Sequence, residues 1–132
     1  MAIVPADCRV VVYTSVPQAR KIWIKGHHFT IENLVQDEKA GRVWDTASIA
    51  SLRLSPQDYH RYHCPVDGTV RWWKAIKGDY YSVDPIAIRS DIDILTSNAR
   101  CAVCIDSKEF GMVLFVAIGA SEVGTVKYDP SF

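Results

Sequence analysis

Between Pro56 and Pro65 the sequence runs Gln57-Asp58-Tyr59-His60-Arg61-Tyr62-His63-Cys64. The run holds a carboxylate, two imidazoles, a guanidinium, two phenols and a thiol. A buried core seldom uses that set, because each group needs a polar partner once it leaves water. A site that moves protons does use it: a carboxylate orients an imidazole, and an imidazole exchanges a proton near neutral pH. From residue types alone three readings stand. The first is acid–base chemistry by Asp58, His60 and His63. The second is a metal site of His60, His63 and Cys64 with Cys101 and Cys104. Structural zinc accepts such ligands, although the spacing matches no common zinc module. In the third, the histidines only satisfy loop carbonyls.

Other candidates are weaker. Cys101-Ala-Val-Cys104 has the gap of a zinc or redox pair, but Arg100–Asp106 alternates like a strand, which makes small strand residues the favoured reading. Cys8, Cys64, Cys101 and Cys104 are too few and too scattered for a disulfide scaffold, and read as reduced thiols in a reducing compartment. His27 and His28 follow Lys25-Gly26 at a solvated turn. Trp72 and Trp73 are adjacent in a strand and face opposite sides, one in the core and the other at an interface or membrane surface. Gly119 and Gly124 frame no phosphate-loop pattern.

These residues sit in a chain of 132 residues, 48% hydrophobic, which is one domain's worth (1–132) and enough to bury roughly two-thirds of its unfolded surface. Fifteen basic residues balance fifteen acidic ones, and zero net charge argues against a nucleic-acid partner. No stretch approaches a membrane span, and the start lacks the charged-then-apolar pattern of a signal peptide. Runs rich in β-branched and aromatic residues predict strands over Arg9–Thr14, Lys21–Lys25, Ala50–Leu54, Gly68–Ala75, Tyr80–Val83, Ile92–Leu95, Cys101–Asp106, Gly111–Ile118 and Gly124–Tyr128. The all-apolar Met112–Ile118 predicts a strand covered on both faces. Thr30–Gln36 predicts a helix capped by Thr30, and Arg42–Ile49 a second short one. The expected fold is α+β, mostly β, with packed antiparallel sheets or a partly closed barrel.

Arg53-Leu-Ser-Pro-Gln-Asp-Tyr-His-Arg-Tyr-His-Cys-Pro-Val-Asp-Gly68 resembles the signature of the phosphatidylserine decarboxylase family. The resemblance continues in order through Val4-Pro-Ala-Asp-Cys-Arg9, Ile22-Trp-Ile-Lys-Gly26 with Phe29–Leu34, Gly78-Asp-Tyr-Tyr-Ser-Val-Asp-Pro85, Asn98-Ala-Arg100, and Phe110-Gly111 with Val116–Thr125. Ala99 stands where the family usually has glutamate, and Cys8 where it often has glycine or serine. The Trp-Ile-Lys-Gly variant resembles the fungal and plant branch.

The resemblance implies conversion of phosphatidylserine to phosphatidylethanolamine and carbon dioxide through a pyruvoyl Schiff base. The pyruvoyl arises when a serine in a Gly-Ser-Thr or Gly-Ser-Ser motif cleaves the proenzyme into β and α chains. Carried over by position, Asp7 and His63 activate that serine, in the logic of a triad. His60 contacts the substrate carboxylate or donates a proton, Asp58 supports His60, and Tyr59 joins His60 in binding substrate. No Gly-Ser-Thr or Gly-Ser-Ser occurs in these residues. The expectation is therefore a β-chain core whose pyruvoyl comes from a separate α chain or a missing segment, inactive alone and binding no metal. The expected partners are that α chain, phosphatidylserine at a membrane surface and a second copy in a homodimer. The expected location is intracellular, soluble for this chain and peripheral on membranes for the whole enzyme. The alternatives are a non-catalytic truncated paralogue acting as a binding module, or a decarboxylase of free amino acids. Two structural expectations follow: the Asp58–His63 run lies at the lip of a cleft facing Asp7, and an apolar sheet edge is left exposed at Met112–Ile118.

Overall fold

The computed structural model describes residues 1–22, 29–121, 123–124 and 126–129. It contains two antiparallel sheets and several short helices, so the two-sheet form of the expected fold holds and no closed barrel forms among the described residues.

The larger sheet has the order β3 (Thr69–Ile76), β4 (Arg100–Ser107), β5 (Gly111–Ile118). A tight hairpin joins β4 to β5 through Lys108–Phe110, with Gly111 at φ 69°, a left-handed backbone that glycine adopts without strain. The centre strand β4, and not β5, is the one buried on both faces. Its small residues fit between two layers. Ala102 and Cys104 face a core with Phe29, Leu34, Val35 and Trp44, whereas Cys101, Val103 and Ile105 face a second cluster with Val66, Val126 and Tyr128. Cys101 and Cys104 thus point to opposite faces, which separates the ligand set of the zinc reading. β5 lies at the sheet edge and is half-exposed, the placement expected for an exposed apolar edge. Trp72 packs on the first core, its ring 6.4 Å from that of Trp44, while Trp73 stays exposed beside Tyr128.

The smaller sheet pairs β1 (Arg9–Tyr13) with β2 (Ile49–Arg53), with Arg9 opposite Arg53. The chain between them forms α1 (Val16–Ile22), α2 (Ile31–Val35) and α3 (Glu38–Trp44). Thr30 caps α2 by accepting from Asn33 N at 3.0 Å, and Asp37 caps α3 by accepting from Ala40 N at 3.0 Å. The last carbonyls of α2 have no partners within the helix, and strand cations supply them. The buried Arg100 donates to Leu34 O at 2.5 Å and to Asn33 O at 2.9 Å, and Lys74 donates to Val35 O and Gln36 O. Burial without a matching anion pulls the Arg100 pKa down, partly offset by Asp93. Two short helices, α4 (Pro85–Ile88) and α5 (Ile94–Ser97), lie between β3 and β4.

Several predicted strands do not form. Lys21 and Ile22 end α1, and the rest of the Lys21–Lys25 prediction lies outside the described residues, as do His27 and His28. Ser15 and Gln18 drive this helix: Gln18 N donates to Ser15 Oγ, and the Gln18 amide oxygen accepts from Thr14 N, a capping pair in all but position. The predicted strand Ile92–Leu95 instead enters α5. Tyr80–Val83 finds no ladder and is held by side-chain bonds. In the predicted Gly124–Tyr128 strand, among the described residues only Gly124 makes a bridge, to Ala120, while Val126 and Tyr128 pack against the sheet. The second helix starts at Glu38 and ends before Ile49, which opens β2.

Candidate active site

The first thirteen residues hold the Asp58–His63 run at both ends. β1 pairs with β2, whose end at Arg53 leads into the run. At the far end His63 N donates to Pro5 O at 2.7 Å, Ile3 N donates to Pro65 O at 2.9 Å, and Ala2 bridges Val66. Asp7 and Cys8 fall between these attachments. The Cys8 thiol is pushed above its usual pKa, first by burial and then by the negative charges of Asp58 and Asp7, which places both carboxylates within electrostatic reach of one sulfur.

Within the run, a turn at Pro56–Asp58 is closed from both sides. Asp58 N donates to Ser55 O at 2.9 Å, and the Asp58 carboxylate accepts from Ser55 N at 2.6 Å. His60 Nδ1 meets the Asp58 backbone carbonyl at 2.6 Å. A carbonyl can only accept, so Nδ1 carries a proton and Nε2 is left for other chemistry. It is therefore the main chain of Asp58 that orients His60, while its carboxylate shapes the turn.

From Asp58 to His63 exposure alternates as in an extended strand: Asp58, His60 and Tyr62 are half-buried, and Tyr59, Arg61 and His63 are exposed. Tyr62 anchors the inner side. Its ring lies 5.3 Å from that of Phe115 on β5, its hydroxyl donates to Lys127 O at 3.3 Å, and burial raises its pKa. His60, on this inner side, lines a cleft of about 430 Å³. The structure thus sends the two histidines in different directions. Tyr59 is not among the cleft residues, and no hydrogen bond or ion pair within 4.0 Å joins Asp7 to His63 among the described residues. No group of three or more His, Cys, Asp or Glu is placed to hold a metal among the described residues.

Three stretches far apart in sequence form the cleft: Arg53–Pro56 with His60, Ser82–Asp84, and Ala120–Ser121 with Val123. One side chain pins the last two walls together. Asn98, fully buried, donates through Nδ2 to Tyr81 O and to Gly119 O, both at 2.8 Å, and accepts from Tyr81 N at 2.9 Å. Gly78 allows this approach, since a Cβ there would lie 2.2 Å from Ser97 O. Asp84 shapes its own wall by capping α4. Its carboxylate accepts from Ile86 N, Ala87 N and the Ser82 hydroxyl, and its pKa is lowered chiefly by the Ala87 bond. Residue reasoning gave Asn98, Arg53, Ser82 and Ser121 no role. The available signal was that the blocks Arg53–Gly68, Gly78–Pro85 and Val116–Thr125 each contribute one wall.

The family model described as phosphatidylserine decarboxylase matches residues 1–131. The chain is similar to phosphatidylserine decarboxylase proenzyme 2 of Komagataella phaffii, 46% identical over 129 residues, covering 96% of this chain and 13% of that protein. It is similar to proenzyme 2 of Oryza sativa subsp. japonica at 40% over 129 residues, covering 97% and 21% respectively. It is similar to the phosphatidylserine decarboxylase proenzyme of Fusobacterium nucleatum at 34% over 122 residues, covering 92% and 41%. The chain spans less than half the length of each of these relatives.

Proposed function

The chain belongs to the phosphatidylserine decarboxylase family, and from that premise we propose that it is the β-chain core of an enzyme converting phosphatidylserine to phosphatidylethanolamine and carbon dioxide. The observation carrying the proposal is the cleft that His60 lines and that three separate family-like blocks build together. We further propose that a separate α segment brings a pyruvoyl group to this cleft. A pyruvoyl amide is neutral and offers carbonyl acceptors. The cleft offers matching donors in Ser55 and Ser121, whose hydroxyls bond no described residue. These two would hold the group, which would supply an electron sink for loss of the carboxylate.

The chain's own residues then have distinct tasks. The Asp58 carbonyl fixes the His60 ring through Nδ1, so Nε2 holds or delivers the proton that the reacting carbon needs after carbon dioxide leaves. The Asp58 carboxylate keeps the turn closed on Ser55. Asp7 and His63, on the segments joined by the His63–Pro5 bond, serve the cleavage that generates the pyruvoyl.

The test uses the full-length protein with phosphatidylserine labelled at the serine carboxyl. The expected result is release of labelled carbon dioxide by the wild type and a fall of about a hundredfold or more for His60→Ala, with processing into two chains intact. Processed protein that releases no carbon dioxide, or a His60→Ala variant at full rate, overturns the proposal.

A further inference from the structure

The cleft that His60 lines also holds a permanent cation. Arg53 ends β2 at the cleft wall and is half-buried there. Among the described residues its guanidinium has no hydrogen bond or ion pair. Asp84, also on the cleft wall, feels its charge but is already committed. One Asp84 oxygen accepts from Ile86 N at 2.9 Å and Ala87 N at 2.8 Å, and the other accepts from Ser82 Oγ at 3.0 Å. Oδ1 is thus taken up by the α4 cap and Oδ2 by Ser82, and no ion pair within 4.0 Å joins either oxygen to Arg53. The five guanidinium N–H donors are therefore left facing a cleft, in the fork geometry that matches a phosphate or a carboxylate.

Resting on the proposed reaction, we infer that Arg53 is the headgroup-specificity residue of this site, its guanidinium holding the phosphodiester of phosphatidylserine and not the carboxylate that leaves. The substrate carries both anions, and transition-state logic separates them. A cation on the carboxylate would stabilise charge that the reaction removes, and would raise the barrier. A cation on the phosphodiester meets the same charge in substrate and transition state, which strengthens binding without slowing chemistry. Leu54, Val83 and Val123 line the same cleft and give it apolar surface, as a glycerophospholipid requires and free serine does not.

The experiment uses purified full-length protein, wild type, Arg53→Lys and Arg53→Gln, with dihexanoyl phosphatidylserine as substrate. Glycerophosphoethanolamine, inorganic phosphate and ethanolamine serve as probes, both as inhibitors and by calorimetric binding. The expected result for Arg53→Gln is a KM raised about ten- to hundredfold with kcat within about threefold of wild type. Binding of glycerophosphoethanolamine should weaken by the same factor, binding of ethanolamine should not change, and Arg53→Lys should fall between. An unchanged KM and unchanged glycerophosphoethanolamine affinity overturn the inference. A loss confined to kcat also overturns it, since that puts Arg53 on the reacting carboxylate. Inorganic phosphate binding as tightly as glycerophosphoethanolamine overturns the headgroup assignment in favour of a general anion site. Thermal unfolding of each variant within a few degrees of wild type checks the fold. A wild type that releases no carbon dioxide defeats the proposed function, while the calorimetric comparison still decides whether Arg53 holds the phosphodiester.

Discussion

Replacing Asn98 should separate the cleft walls before it unfolds the protein. Its side chain is 0% exposed and makes three hydrogen bonds, two to Tyr81 and one to Gly119. Each buried bond contributes about 1 kcal/mol net, and each backbone group left unpaired adds a desolvation cost of about 1–3 kcal/mol unless water reaches it. With water entering the space the amide leaves and re-pairing most of these groups, Asn98→Ala should cost about 3–4 kcal/mol, a large share of the ~5–15 kcal/mol stability of an ordinary domain. In a domain of this size that is a fall in Tm of roughly 10–15 °C.

Asn98→Asp makes the argument sharper, because it keeps the shape and the acceptor but loses the donor. At neutral pH it sets a carboxylate against the Tyr81 and Gly119 carbonyls and should be worse than alanine. Burial would raise that carboxyl's pKa in the folded state above its unfolded value of about 3.9. The sign follows: the unfolded chain releases the proton first, so the cost of the substitution relative to wild type is smallest below about pH 4 and grows as pH rises. Calorimetry on the full-length protein between pH 4 and pH 8 reads this directly, and carbon dioxide release at 20 °C reads the cleft. Activity should fall at least tenfold in both variants while each is still folded. An Asn98→Asp protein as stable as wild type at neutral pH, or an Asn98→Ala protein with full activity, would refute the reasoning.

Other outcomes follow from the same contacts. Tyr62→Ala should cost about 3 kcal/mol through lost packing on Phe115, whereas Tyr62→Phe, losing only the exposed 3.3 Å bond to Lys127, should cost under about 1 kcal/mol in chemical denaturation. Arg100→Met should cost about 2–4 kcal/mol by uncapping α2, and Lys74→Met about 1 kcal/mol, because Arg100 is the buried partner. Mass mapping after iodoacetamide at pH 8 should find the exposed Cys64 alkylated well before Cys8, whose raised pKa leaves less thiolate, and Cys101 and Cys104 last. The 132-residue chain should self-associate at micromolar concentration in light scattering, since β5 pairs only with β4 among the described residues and Val10, Val11 and Val12 are exposed on β1; Val11→Lys with Met112→Lys, both at exposed positions, should suppress it, and a strictly monomeric wild type would count against the exposed-edge reading.

Sequence patterns identified β1 to β5 within a residue or two because each is a run of β-branched or aromatic residues with a partner to pair with. Thr30 marked α2 because a threonine cap is a local signal. The failures share one cause. Tyr80–Val83 has strand composition, but a buried amide holds it in place of a ladder, and nothing near residue 80 announces Asn98. The apolar run of β5 looked more buried than β4, yet strand order decides which strand is covered, and small residues such as Ala102 and Cys104 suit the centre better than bulky ones. In the site, the residue types marked His60, but not its direction. That comes from the Asp58 carbonyl and from Tyr62 anchoring on Phe115, both facts of packing.

The odd spacing of the two histidines carries the last step. In a run that alternates, residues three apart face opposite ways, and here His60 turns into the cleft while His63 stays exposed beside the Pro5 attachment. A single base serving both a self-cleavage and every later turnover would have to suit two different reacting groups in one position. Under the proposed function the strand geometry removes that conflict. The inner histidine keeps a fixed ring and a free Nε2 for substrate, and the outer one remains open to a segment approaching from outside the cleft. A pair spaced by two or four would have put both imidazoles on one face, where two cations at low pH would repel and only one could meet the substrate. The same alternation explains why Tyr62 belongs between them: it faces inward with His60, and its packing on β5 keeps the parity from slipping.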